Sequence, residues 1–297
     1  MEKGRTEDFT VQDTRNGRKY VVHQNKSGNM KNIATFQKFG FMGELGNQMF
    51  QVAAVSAYAK RFEKNVIFPE WICKKTGRDY TKIFKNPVTQ GHVNLDPTTF
   101  TTVLYNDLKF IELPNIENNV NFEGYFQSEK YFNDFRDEVK EMFTPTDEIT
   151  EYLTTKYADL IREPNKVAMH VRTGRRSQYD YHDIHVYASR NFIEKSQENF
   201  SHDTYAVFTD HLEAAKEMLP SGKKYIFIEN EENYIDMFLM NYFDSYIVSP
   251  STFGWWGAWL SHSTNPKVVT VKDWFVKGGA LEHLNDNDQI PDNWKKI

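Results

Sequence analysis

The chain reads as an α/β protein of doubly wound, parallel-sheet character, and three observations carry that reading. Through the second half, short β-branched and apolar runs alternate with stretches of helical spacing, the pattern of strands buried on both faces and joined by crossover helices. In the first half, a glycine-punctuated turn leads straight into a helix of small and apolar residues. Between the halves, Glu163-Pro164-Asn165 breaks the pattern just before a strand and marks a junction near Lys156 to Asn165. The predicted organisation is a polar arm or small hairpin over residues 1–32, a first domain over 33–160 and a second over 161–297.

Residues 1–32 are polar and carry Gly4, Gly17 and Gly28, with only short apolar pieces such as Tyr20-Val21-Val22. Phe39-Gly40-Phe41-Met42-Gly43-Glu44-Leu45-Gly46-Asn47 is a turn. In the helix that comes next, Gln48 to Lys60, the residues Met49, Phe50, Ala53, Ala57 and Lys60 share helical spacing. Asn47 is expected to cap it, with the glycines letting a ligand approach its positive end. Val66 to Pro69 reads as a short strand, and the Asn-, Thr-, Pro- and Lys-rich stretch beyond it supports no assignment. After Glu123-Gly-Tyr-Phe-Gln127, the spacing of Phe132, Phe135, Val139 and Met142 predicts one buried helix face, ended by Pro145.

Parallel strands are predicted at Val167 to Val171, Tyr205 to Phe208, Tyr225 to Ile228, Tyr246 to Val248 and Lys267 to Val271, with connecting helices over His211 to Leu219 and Tyr234 to Phe243. Ligands of such sheets bind beyond the carboxyl ends of the strands. Three of those ends carry polar chemistry: His170 and Arg172, Thr209 and Asp210, Ser251 and Thr252. Arg172 offers a fixed fork of donors suited to a phosphate, and Arg175-Arg176 adds positive charge, enough to neutralise a leaving diphosphate without a metal. The segment Ser249 to Leu260 places Ser251 and Thr252 beside three of the six tryptophans, which either wall a ligand site or fill the core.

Composition narrows the partners. The net charge of -5 comes with no long basic block, which argues against a nucleic-acid surface. Cys73 is the single cysteine, so there is no intrachain disulfide framework or Cys-rich zinc knuckle, and a buried, inert thiol is expected. The nine histidines form no His-Glu-x-x-His pair; His182, Asp183 and His185 come nearest to a ligand cluster, and no metal is expected. No window approaches eighteen apolar residues and the start lacks the apolar segment of a signal peptide, so no membrane span and a cytoplasmic location are expected.

Several ordered blocks resemble the inverting α-1,2-fucosyltransferases and their relatives. Gly43-Glu-Leu-Gly-Asn-Gln-Met-Phe-Gln51 resembles the family's amino-terminal motif and Glu123 to Phe132 a second block. His170-Val-Arg172, Val207-Phe-Thr-Asp210 and Ser251 to Leu260 are similar to three more, so the likeness runs from about residue 38 to Phe275. It implies a GT-B-type fold of two Rossmann-like domains with an interdomain cleft, and metal-independent, inverting transfer of fucose from GDP-fucose to a glycan hydroxyl, with α-1,2 linkage. By the same likeness Arg172 binds the donor diphosphate with His170 shaping the site, Asp210 lies near the nucleotide, and Ser251 with Thr252 serves its phosphates. Asn47 and Gln48 are candidates for positioning donor or acceptor across the cleft. The resemblance implies a nucleotide sugar and a glycan as partners and no cofactor beyond the donor substrate. Transfer from another GDP-sugar, another fucosyl linkage, or a non-catalytic glycan-binding protein with tryptophan platforms are the alternatives.

One block departs from the family pattern His-x-Arg-Arg-Gly-Asp. Here Thr173 stands for the second arginine and Arg175 for the aspartate. If that aspartate organises the acceptor or deprotonates its hydroxyl in relatives, either the task moves to another group, with Asp180, Asp183 and Glu44 as candidates, or the acceptor chemistry has changed. Arg175 either contacts the acceptor or a phosphate, or pairs with Tyr179 and Asp180.

Overall fold

The computed structural model describes residues 9–12, 19–22, 32–91, 93, 100–174, 185–284 and 286–297, the first two stretches as backbone. Two compact units divide the chain, Met1–Thr144 and Pro145–Ile297.

In the first unit, β1 (Phe9–Gln12) and β2 (Lys19–Val22) pair antiparallel as a hairpin. Next in the chain is a four-stranded parallel sheet, built from β3 (Ile33–Thr35), β4 (Asn65–Ile67), β5 (Phe100–Tyr105) and β6 (Asn119–Gly124) in the order β4-β3-β6-β5. Helix α1 (Leu45–Arg61) crosses from β3 to β4 and is buried along most of its length. Strand β6 falls in the stretch where the sequence supports no assignment. Its Asn119 and Asn121 are buried, and their side-chain carbonyls accept from the backbone N–H groups of Asn32, Ile33 and Gln37. These amides satisfy the donors where β3 begins and ends, which offsets the cost of burying them.

The amphipathic stretch around Phe132 is not one helix. Short 3-10 turns occupy Glu129–Tyr131 and Asn133–Phe135, and α2 begins only at Arg136, running to Met142. Ser128 caps the first turn, its hydroxyl accepting from the Lys130 N–H. The breaks fall at Phe132 (φ -141°, ψ 4°) and Phe135 (φ -121°, ψ 36°), whose backbones are not helical.

In the second unit, α3 (Asp147–Lys156) and α4 (Ala158–Arg162) precede β7 (Lys166–Val171). Both helices fall in the second unit, which begins at Pro145, fifteen residues before the predicted boundary at 160. Glu231, beyond β9, accepts from Tyr152 and Tyr157 and ion-pairs with Lys156, tying α3 to this unit. Then come α5 (Arg190–Gln197), β8 (Thr204–Thr209), α6 (Leu212–Met218), β9 (Lys224–Phe227), α7 (Asn233–Met240), β10 (Ser245–Val248), α8 (Thr252–Trp259), β11 (Lys267–Thr270) and β12 (Lys295–Lys296). All the strands run parallel in the order β9-β8-β7-β10-β11-β12. The chain winds outward from β7 to β9, then returns to β10 on the other side of β7. The order therefore reverses between β7 and β10, and such a switch point is where open α/β sheets leave a crevice for ligands.

Helix α8 is apolar all round because it is buried all round. Trp255, Trp256 and Trp259 are fully buried. Trp255 stacks on Trp259 at 5.8 Å, Trp256 meets Trp259 edge-on at 5.3 Å, and the Trp255 indole donates to the Gln289 carbonyl at 2.8 Å. Gly257 lets the helix approach α7, since a Cβ there would fall 2.6 Å from the Met240 sulfur. Rings packed this way have no face for a sugar, so the tryptophan-platform reading is excluded. Trp256→Ala is expected to lower the unfolding free energy by about 3–5 kcal/mol in urea titration; a loss below about 1 kcal/mol would contradict this packing role.

Candidate active site

The site forms just past the carboxyl end of β7. The ladder pairs Val248 with His170 and Thr209 with Val171. Beyond those pairs side chains take over the hydrogen bonding. The Arg172 N–H donates to Ser249 Oγ at 2.8 Å, toward β10. The Thr173 N–H donates to Asp210 Oδ1 at 2.7 Å, toward β8. The Arg172 carbonyl accepts from Ala188 N–H at 3.0 Å. The backbone that carries Arg172 is thus held from both flanks, while its side chain remains 38% exposed.

His170 lies one step back and is 5% exposed. Ser249 Oγ donates to the His170 carbonyl at 2.9 Å and sits 3.2 Å from His170 Nδ1. With the single hydroxyl proton used on that carbonyl, Nδ1 must be the donor in the second contact, which leaves Nε2 with the lone pair. Burial, reinforced by the Arg172 charge, pushes the imidazole down to about 4, so it is neutral at physiological pH. Gly254 of α8 packs directly on this ring, where a Cβ would come within 2.7 Å of Nδ1.

The other expected groups fall around the same strand ends. Asp210 is almost wholly buried in its side chain, with Oδ2 3.6 Å from Arg172 Nε. Ser251 caps α8, its hydroxyl accepting from the Phe253 N–H at 3.3 Å, and Thr252 is the first residue of that helix. His185 adjoins them: burial and the Arg172 charge lower its proton affinity. Arg175, Arg176, Asp180, His182 and Asp183 lie outside the described residues.

In the first unit Asn47 does not cap α1; the cap position is Glu44, in extended conformation and without a side-chain cap bond. The left-handed turn at Gly43 (φ 74°) ends the turn early and starts the helix at Leu45. Asn47 packs against that glycine, where a Cβ would collide with its amide. Glu44 is partly exposed and ion-pairs with Lys75 at 3.1 Å. Gln48, expected at a substrate, is fully buried: it donates to the Gly43 carbonyl at 3.0 Å and accepts from the Trp71 indole at 2.9 Å. The buried Cys73 thiol also points to that carbonyl, at 3.8 Å. Gln51 reaches the Met42 and Gly124 carbonyls, joining the amino-terminal motif to the Glu123 to Phe132 block.

Sequence reasoning missed two members of the site. Ser249 stands at the head of the aromatic segment, and its place directly after β10 was the available signal. Thr173 was visible only as a departure from a motif. Among the described residues, no group of three His, Cys, Asp or Glu side chains is arranged to hold a metal ion, and no helix is long and apolar enough to cross a membrane.

Two α/β units with parallel sheets, the second with its polar strand ends at a switch point, make the fold that of a GT-B-type glycosyltransferase. Residues 9–277 match glycosyl transferase family 11, and the chain belongs to that family. It is similar to an α-1,2-colitosyltransferase of Escherichia coli, 27% identical over 288 residues that cover 86% of this chain and 96% of that protein. A galactoside 2-α-L-fucosyltransferase of Caenorhabditis elegans is 23% identical, covering 92% of this chain and 79% of its own length. In fold the chain resembles the fucosyltransferase NodZ of Bradyrhizobium, also an α-1,6-fucosyltransferase co-crystallized with GDP, with a TM-score of 0.54 at 12% identity over 82% of this chain and 96% of that one.

His170 yields a prediction in pH. It takes up a proton only near pH 4 when folded but near 6.5 when unfolded, so the unfolded state binds more protons between those values. Its contribution to stability is complete above about pH 6.5 and is lost as the pH falls through about 4, on the order of 3 kcal/mol in all. In urea unfolding at pH 7.5 and 4.5, the unsubstituted protein should lose about 2–3 kcal/mol more than His170→Gln. Equal losses would contradict a buried neutral imidazole.

Proposed function

We propose that the protein transfers fucose from GDP-fucose to a glycan hydroxyl, forming an α-1,2 linkage with inversion at the anomeric carbon. The observation that carries this reading is the Arg172 guanidinium, held by its backbone at the β7/β10 switch point while its side chain stays accessible. The acceptor oxygen attacks the anomeric carbon as the bond to the diphosphate breaks, and negative charge grows on the departing GDP. A fixed guanidinium aimed at that charge stabilises the transition state more than the ground state. Ser251 and Thr252, at the N-terminus of α8, supply hydroxyl and backbone donors for the same phosphates. His170 is buried and neutral, so its part is to hold Ser249, and through it Arg172, rather than to transfer protons. Glu44 and Asp183 are the carboxylates proposed to deprotonate the acceptor, and the first unit is proposed to serve the acceptor with Asn47.

A second donor is favoured by the 27% likeness to a colitosyltransferase. Colitose is fucose without its 3-hydroxyl, so the same diphosphate site serves either GDP-sugar and the sugar pocket alone decides. Release of GDP from GDP-fucose and GDP-colitose, measured with a panel of galactosides, separates the readings. Acceptor-dependent release from GDP-fucose is expected; release from GDP-colitose alone would transfer the assignment to that donor, and release without acceptor would make the protein a hydrolase.

Arg172→Ala is expected to weaken GDP binding by about 10- to 150-fold, the loss of one charge-assisted contact of roughly 1.5–3 kcal/mol. Calorimetric titration would read it, and an unchanged Kd would remove Arg172 from the donor. Turnover should also survive exhaustive EDTA, because the guanidinium and helix end take the place of a cation; collapse restored by manganese or magnesium would overturn the metal-independent mechanism.

A further inference from the structure

Thr173 stands where the resembled motif carries an arginine. It is 1% exposed, and both its backbone N–H and its hydroxyl donate to the same atom, Asp210 Oδ1, at 2.7 and 2.8 Å. The Asp210 side chain is 4% exposed, and its other oxygen, Oδ2, is buried without a hydrogen-bond partner among the described residues, 3.6 Å from Arg172 Nε. A buried carboxylate oxygen with no donor is costly unless something makes use of its charge. It cannot make a favourable contact with a diphosphate, since like charges at that range repel. The group it faces is the Nε edge of the guanidinium.

We infer that Thr173 and Asp210 are positioning residues for the donor, acting through Arg172. The two Thr173 donors fix the carboxylate plane by occupying Oδ1, which leaves Oδ2 directed at Nε. Engaging that edge sets the rotation of the guanidinium and leaves its terminal nitrogens for the diphosphate, a bidentate geometry that a lone, freely rotating arginine has to find at an entropic cost. Asp210 thus serves the nucleotide without touching it, and a buried threonine hydroxyl at position 173 does this better than a long cationic side chain, which would compete with Arg172 for the carboxylate.

This inference rests on the reading of Arg172 as the diphosphate ligand, and the test separates the two. GDP binding to the full chain is measured by calorimetry for the unsubstituted protein, Thr173→Val, Thr173→Ser and Asp210→Asn, and for the same three substitutions combined with Arg172→Lys, which has no Nε edge. Thr173→Val and Asp210→Asn should each weaken GDP by about 5- to 30-fold, less than Arg172→Ala because they act through the guanidinium and do not remove it, and Thr173→Ser should stay within about 2-fold. In the Arg172→Lys background the same substitutions should change affinity less than about 2-fold, because the coupling runs through the removed edge. Full GDP affinity in Thr173→Val and Asp210→Asn would overturn the inference while leaving the donor reading intact. Undiminished losses in the Arg172→Lys background would overturn it as well, placing both residues on the nucleotide or the fold. Failure of the unsubstituted protein to bind GDP would overturn the donor reading itself.

Discussion

The site depends on how β7 ends. Where the chain leaves the sheet after the last ladder pair, its N–H groups must find other acceptors or lose the free energy of a buried, unmade hydrogen bond. Here the acceptors are side chains from the two flanking strand ends, Ser249 after β10 and Asp210 after β8. Because they pull from opposite sides, the Arg172-Thr173 pair is fixed at the point where the sheet opens. The topology creates the crevice, and these bonds decide what stands in it.

The supporting layer explains residues that touch no substrate in this account. Gly254 brings α8 against His170, the neutral imidazole meets Ser249, and Ser249 holds the Arg172 backbone. The tryptophans behind Gly254 make that helix rigid. The first unit uses the same device at its own turn, where Gln48, Gln51 and the Cys73 thiol converge on the carbonyls of Met42 and Gly43. In both places polar side chains spend their hydrogen bonds on shaping backbone, and this accounts for amides that would otherwise read as ligand-binding.

The parts of the fold legible in the sequence were those with one dominant signal. Strands β7, β8, β10 and β11 are largely buried apolar runs and, with the more open β9, were placed within a residue or two, whereas β12 is only the exposed Lys295–Lys296 and gave no apolar signal. Strand β6 was hidden because Asn119 and Asn121 break its apolar pattern, and only the tertiary structure shows that they close the ends of β3. Asn47 looked like a cap by residue type, but the left-handed Gly43 starts the helix earlier, a conformation that the letter glycine permits without dictating. Phe132 kept helical spacing with Val139 across the 3-10 turn Asn133–Phe135, so periodicity alone joined segments that the non-helical backbone of Phe132 and Phe135 separates. At the site, Arg172, Asp210 and Ser251 were readable as polar groups at strand ends. The roles of Ser249 and Thr173 were not, since each depends on a partner far away in sequence.

The central claim is that the end of β7 presents Arg172 to the donor diphosphate. The most direct measurement is a crystal structure with GDP bound. The account predicts the diphosphate at the β7/β10 switch point, with terminal nitrogens of Arg172 within hydrogen-bond reach of its oxygens and Asp210 Oδ2 on Nε. GDP bound elsewhere in the chain, or at the switch point with Arg172 turned away from the phosphates, would contradict it.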